Sequence, residues 1–344
     1  MQKQLGMIFL VVVLFLGRAS LADGPKPIRV LSIDGGGIRG LIAAVILQDM
    51  EKRLNKPVSK VFDLVAGTST GGLIAIALTA PLAEDRPRYS ASKVVDLYIE
   101  QGREIFSASF WHRLKTIGGL LGPKYQSHGL RRVLQDHLGD LRLSETLIPT
   151  LITGYHIEGQ SGVEFFSEDA KDHPEDKDCL MYQVGMATSA APIYFESVDI
   201  DFAWGKLLSV ADGALYKHNP ALLAYTNAKT MYPDRKVELY SIGTGQASAE
   251  DVSRELKGRG LISWLSPIVK HIVIGGSDAD QAVLHRLLNI DGQNNYFRLD
   301  VRIGRGHKRM DDTSEWNIDY LLEKGNEAIK SSMYSEMIER LGSR

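Results

Sequence analysis

Val61-Phe62-Asp63-Leu64-Val65-Ala66-Gly67-Thr68-Ser69-Thr70-Gly71-Gly72-Leu73-Ile74-Ala75-Ile76-Ala77-Leu78 is the stretch on which the reading of this chain turns. Val61 to Ala66 is mostly apolar and short, which predicts a buried strand, and Gly72 to Leu78 predicts a helix. The join between them, Gly67-Thr68-Ser69-Thr70-Gly71, has the form G-x-S-x-G. At a strand-to-helix turn that pattern is a nucleophile elbow: small residues let the chain turn sharply, and the serine hydroxyl is held out where a substrate can reach it. Five residues with three fixed also recur by chance, so these five alone are equally a Gly/Ser turn.

Upstream, Ile28 to Ile33 predicts a first strand, followed at once by Asp34-Gly35-Gly36-Gly37-Ile38-Arg39-Gly40 and a helix over Leu41 to Leu54, ending near Asn55 and Pro57. A glycine-rich turn opening onto a helix N-terminus presents free backbone N–H groups and suits an anion. Three functions compete for it. As a G-x-G-x-x-G dinucleotide fingerprint it lacks a well-placed acid after a second strand, because Asp49 and Glu51 lie inside the helix; as a phosphate loop it lacks G-K-[ST]. As an oxyanion hole, its N–H groups would stabilise the charge that develops when Ser69 attacks an acyl group.

Further along, helices are predicted over Ser90 to Phe106 and Leu130 to Leu138, and a strand over Leu147 to Ile157. The aromatic and basic stretch Phe110 to Leu121 reads as a loop packed on the core, with a lipid-contacting flap as the competing reading. Glu168 to Asp178, with His173, reads as a solvated charged loop, since its spacing fits no metal-binding loop. The small-residue run Val184 to Pro192 predicts a closely packed helix stopped by proline. Leu207 to Ala211 predicts a strand that delivers Asp212-Gly213-Ala214, either an acid aimed into a site or an ordinary Asp-Gly turn. A helix over Pro220 to Met231 and a strand over Val237 to Ile242, ending in Gly243-Thr244-Gly245, complete this part.

Composition narrows the class. The 344 residues are 44% hydrophobic and 24% charged, ordinary for a globular chain, and the formal net charge of -2 gives no basic field for nucleic acid. Lys3, the apolar run Met7 to Leu16 and Ser20-Leu21-Ala22 predict a signal peptide over residues 1–22 and an exported protein, secreted or periplasmic, with an uncleaved N-terminal anchor as the alternative. Cys179 is the single cysteine, so no internal disulfide forms.

Taken together and in order, D-G-G-G-I-R-G at 34–40, G-T-S-T-G at 67–71, A-T-S-A-A-P at 187–192, D-G-A at 212–214 and S-I-G-T-G at 241–245 resemble the patatin-like phospholipase family. The resemblance spans residues 28–245. It implies a three-layer α/β/α fold with a central, mostly parallel sheet, and a lipid acyl hydrolase of phospholipase A type acting on lipid or membrane-surface substrates. It implies no metal and no cofactor in the chemistry. By position, Ser69 matches the nucleophile, Asp212 the base, Gly35, Gly36 and Gly37 the oxyanion turn, and Arg39 the basic residue within it. Gly40, Gly67, Gly71, Gly213 and Ala214 complete the motifs, Ala214 standing where many members carry a second glycine.

Two rivals remain from the residues themselves. Ser69, Asp212 and one of His218, His271 or His285 have the chain order of an α/β-hydrolase triad. A catalytically silent lipid-binding protein on the same fold is the other. Residues 246–344 carry an apolar stripe from Leu261 to Val273, a strand signal at Asn294 to Val301 and helical patterning over Ser314 to Leu341. They read as a mainly helical extension packed on the catalytic domain. The oligomeric state has no signal in the sequence.

Overall fold

The computed structural model describes residues 25–105, 125, 127–192, 194–202, 207–247, 276–289, 295–307 and 309–343. The expected signal peptide, the aromatic stretch at 110–121, and the stripe at 261–273 with His271 lie outside them.

In chain order the main elements are β1 (Ile28–Ile33), α1 (Gly40–Leu54), β2 (Leu64–Gly67), α2 (Thr70–Thr79), α3 (Ala91–Ile105), α4 (His128–Leu138), β3 (Thr150–His156), β4 (Ser161–Phe166) and α5 (Met181–Thr188). They continue with β5 (Val198–Asp201), β6 (Leu207–Asp212), α6 (Ala221–Met231), β7 (Val237–Ile242), β8 (Tyr296–Leu299), α7 (Glu315–Ala328) and α8 (Ser332–Gly342). The strand expected from Val61 starts later, at Leu64. Pro57 starts a short helix, Val58–Val61, whose first N–H is capped by Glu51 Oε1 at 2.9 Å, so Val61 is drawn into that turn. The charged run expected to be a loop also folds, into two short helices at Ser167–Asp172 and Pro174–Lys177. Acids in the first turn of each suit the helix dipole.

Eight strands form one sheet in the order β8-β7-β1-β2-β3-β6-β5, with β4 also paired to β3. The pairs β8–β7, β7–β1, β1–β2 and β2–β3 are parallel; β3 pairs antiparallel with β4 and β6, and β6 with β5. β1 and β7 are buried at all six positions, as strands covered on both faces should be, and the charged pair they bury, Arg29 and Glu238, lies 3.6 Å apart. Leu31, Ile33 and Val65 point to one face and pack with α1, α2 and α7. Ile28, Val30, Leu64 and Ala66 point to the other and pack with Ala221, Ala224 and Ala228 of α6. The result is the three-layer α/β/α arrangement with a mostly parallel central sheet.

Strand β3 sets up the site. β4 occupies one of its edges from Leu151 to His156. The opposite edge is shared: β2 pairs with its first part and ends with Gly67 opposite Ile152, while β6 runs the other way and ends with Asp212 opposite Gly154. Two strands of opposite direction therefore finish on either side of Thr153. The register alone brings the residues just after Gly67 next to Asp212.

Residues 246–344 do more than pack as a helical extension. β8 pairs in register with β7, Tyr296 to Leu239 through Leu299 to Ile242, and so forms the last strand of the central sheet. A fully buried β7 needs backbone partners on both edges, and β1 supplies only one. Among the described residues no helix is long and apolar enough to cross a membrane.

Candidate active site

Ser69 lies between β2 and α2 with φ 54° and ψ −123°, a backbone conformation that a non-glycine residue rarely adopts. Such strain persists only where the surroundings enforce it, and it often marks a functional turn. Here α2 starts one residue later and passes so close to β1 that a Cβ at Gly71 would lie 2.2 Å from the Ile33 carbonyl oxygen. Glycine at 71 is thus a requirement of packing. The Ser69 N–H donates to Thr188 Oγ1 at 2.9 Å, which ties the elbow to the end of α5.

The Ser69 hydroxyl donates to Asp212 Oδ2 at 2.7 Å, and the Ala214 N–H donates to Oδ1 at 2.7 Å. Asp212 is 3% exposed and, among the described residues, no cation pairs with it. Burial pushes its carboxyl up to about 7, opposed by the hydrogen bonds from Ala214 and Ser69. A carboxylate so placed can take a proton near neutral pH and give it back.

The glycine turn faces the same point. A methyl group at Gly35 would sit 3.4 Å from Ser69 Cβ. The four N–H groups of residues 35–38 divide into two sets. Gly35 donates to the His218 carbonyl at 3.0 Å and Ile38 to the Met310 carbonyl at 2.9 Å. The Gly36 and Gly37 N–H groups have no hydrogen-bond partner among the described residues. Of the three glycines expected to form an oxyanion turn, Gly35 therefore has its N–H committed elsewhere, and Gly36 and Gly37 are the open donors. The Thr244 hydroxyl donates to the Gly35 carbonyl. Because a trans peptide points its C=O and N–H in opposite directions, that bond turns the Gly36 N–H away from Thr244. Gly37 has φ 61°, which frees it to complete the bend. Arg39 is buried and directs Nε to the Gly36 carbonyl at 3.3 Å, bracing the turn from inside.

Gly40 and Gly67 stand at close approaches as well, to Thr70 and to the Gly71 carbonyl respectively, and Gly213 lies against Thr153. Of the two candidate histidines among the described residues, His218 is near: its Nδ1 would meet a Cβ on Gly35 at 3.1 Å. Burial, then the charges of Arg39 and Arg298, lower its imidazole to about 4, so it is neutral at physiological pH. No hydrogen bond joins its ring to Ser69 or Asp212 among the described residues. His285 instead meets Asn289 at 3.1 Å.

One further group at the site has no signal in the sequence. Arg298 on β8 makes two hydrogen bonds to Asp34, 2.9 Å from Nη1 to Oδ1 and 2.6 Å from Nη2 to Oδ2, and others to Ser241 at 2.8 Å and Asp300 at 2.9 Å. Its neighbours follow one another along adjacent strand ends, a juxtaposition that exists only once β8 is paired to β7. Thr188 and Thr244 were visible as members of motifs, but not their bonds to the elbow and the turn.

The family profile described as Patatin-like phospholipase matches residues 31–225. Patatin-like protein 2 of Arabidopsis thaliana is 34% identical over 339 residues, covering 88% of this chain and 83% of that protein. Patatin-17 of Solanum cardiophyllum is 29% identical over 371 residues, covering 97% and 94%. Among solved structures, VipD from Legionella pneumophila aligns with 88% of this chain and 67% of its own, at 11% identity and a TM-score of 0.41.

Proposed function

The chain belongs to the patatin-like phospholipase family and is a lipid-ester hydrolase, and from that premise we propose that it cleaves fatty-acyl esters through a Ser69–Asp212 dyad and an acyl-enzyme. A serine hydroxyl is a weak nucleophile at its own pKa and needs a neighbouring base. Asp212 takes the Ser69 proton as Oγ attacks the ester carbonyl. The resulting oxyanion is stabilised by the Gly36 and Gly37 N–H groups. Collapse breaks the bond to the leaving alkoxide, which takes the proton back from Asp212, and the acyl group stays on Ser69. Water then attacks the acyl-enzyme, again with Asp212 as base, and releases the fatty acid.

The observation that carries this reading is the direct 2.7 Å contact from the Ser69 hydroxyl to Asp212 Oδ2. A Ser-His-Asp triad would place an imidazole between those two atoms, and here they touch. The silent lipid-binding alternative retains no role for a strained serine held on a buried carboxylate. Fatty-acid release from phospholipids, galactolipids and acylglycerols, measured with wild type and Ser69→Ala, tests the proposal. Release by wild type that disappears in Ser69→Ala supports it. Equal release by the two proteins, or none by wild type, contradicts it.

A further inference from the structure

Outside the matched family segment, one buried cation reaches the site by two separate routes. The first goes through Asp34. That residue opens the glycine turn, its N–H is fixed to the Ile242 carbonyl at 3.0 Å, and both of its carboxylate oxygens accept from Arg298. The second goes through Asp300. Its Oδ2 accepts from Arg298 at 2.9 Å, and its Oδ1 accepts from the Gly245 N–H at 2.9 Å. Gly245 follows Thr244, whose hydroxyl holds the Gly35 carbonyl. The two routes end on either side of one peptide, Gly35–Gly36, whose N–H is one of the two open donors of the turn.

We infer that Arg298 is a positioning residue for the hydrolytic reaction: by bridging Asp34 and Asp300 it fixes the direction of the Gly36 and Gly37 N–H groups. This rests on the hydrolase reading above. The geometry fits a clamp better than a solubilising pair, because the Arg298 side chain is 14% exposed and those of Asp34 and Asp300 are 4% and 15%. Burial alone would lower the guanidinium's pKa, but the two carboxylates more than offset it, and Arg298 stays charged. The planar fork of arginine can serve two carboxylates and Ser241 at once, which a lysine ammonium on the same strand cannot. Asp300 is held close as well: a Cβ on Gly243 would lie 2.1 Å from its Cγ. Residues 246–344 then help to position the catalytic turn and are not a dispensable cover.

The test uses the full chain with a small soluble ester, whose acyl group is short enough that binding to an interface does not enter. Arg298→Met is expected to lower kcat by about 100-fold with KM changed by less than about threefold, the signature of lost transition-state stabilisation. Arg298→Lys should recover part of that loss. A folded Arg298→Met with wild-type kcat overturns the inference, as does a loss confined to KM. Where Arg298→Met fails to fold, Thr244→Val decides, since it removes one hydroxyl and no charge. It should lower kcat by about tenfold at unchanged KM, and an unchanged kcat overturns the inference. Wild type without turnover on any ester refutes the hydrolase reading itself, which separates that failure from failure of the clamp.

Discussion

Asp34 and Asp212 are the same residue at the same kind of place, the C-terminal end of a strand in one sheet, and each is 3% exposed. Their partners separate them. Asp34 is gripped by two N–H groups of a guanidinium, whereas Asp212 is met only by a neutral hydroxyl and a backbone N–H. Burial raises both carboxyls: for Asp34 the Arg298 guanidinium offsets part of the rise, whereas for Asp212 nothing charged opposes it and the carboxyl rises to about 7. What decides whether a buried acid becomes an anchor or a base is thus the charge that faces it, more than the depth at which it lies.

The comparison is broken most directly by removing each charge in turn. Asp212→Asn should cut kcat by about 10³-fold, within the range for a lost general base, while leaving the fold intact. The same variant should be more stable than wild type at pH 8. Because the folded pKa lies above the unfolded value of 3.8, the unfolded chain loses its proton first, so stability falls as pH rises from about 4 to 7 and is level above that. A shift of that size corresponds to up to about 4 kcal/mol, read as the difference between the pH-dependent unfolding curves of the two proteins. In wild type, kcat/KM should rise about tenfold per pH unit below 7 and flatten above it, because only the ionised base is active. A flat profile from pH 5 to 8 would remove Asp212 from the base role.

Asp34→Asn should behave in the opposite way. It leaves a buried guanidinium with one carboxylate fewer, at a cost of about 3 kcal/mol in denaturant unfolding, the scale for breaking a buried pair. If Asp34→Asn and Asp212→Asn gave the same pattern of stability and activity, the distinction between anchor and base would fail.

Smaller changes sharpen the picture around the turn. Gly37→Ala places a Cβ 2.2 Å from the Met310 carbonyl oxygen at φ 61°, so a loss of about 2 kcal/mol in stability and most of the activity is expected. Gly35→Ala meets only the His218 ring at 3.1 Å and Ser69 Cβ at 3.4 Å, so it should fold with a milder defect. Comparable damage at both positions would argue against a conformational role for Gly37. The smallest effect belongs to Thr188→Val, which removes the acceptor of the Ser69 N–H and should cost about 1 kcal/mol, seen as a drop in kcat of less than tenfold.

Much of this was legible in the sequence, for a physical reason. β1, β7, α1 and α2 are local: short, mainly apolar runs, a turn-forming Asn55 and a glycine-bracketed serine specify them without help from the rest of the chain. Ser69 and Asp212 were found because each sits in a short motif at the end of such a run. The antiparallel strands β4 and β5 went unread, since Ser161–Phe166 and Val198–Asp201 are half exposed and owe their conformation to pairing with β3 and β6. Arg298 was unreadable for the same reason. Asp300 is two residues away, but Asp34 and Ser241 lie 264 and 57 residues away, and a local Arg-x-Asp pair does not mark a strand arginine as the centre of an ion network. The division of the glycine turn into committed and open N–H groups likewise depends on His218 and Met310, which only the fold brings there.

In the proposed reaction Ser69 carries the acyl group between the two half-reactions. Rapid quenching of turnover with a labelled fatty-acyl ester, followed by mass spectrometry of the intact chain and its peptides, measures that intermediate directly. The expected result is one acyl group per chain on the peptide containing Ser69, absent in Ser69→Ala. Steady hydrolysis with the acyl group on another residue, or with Ser69→Ala still turning over, would contradict it.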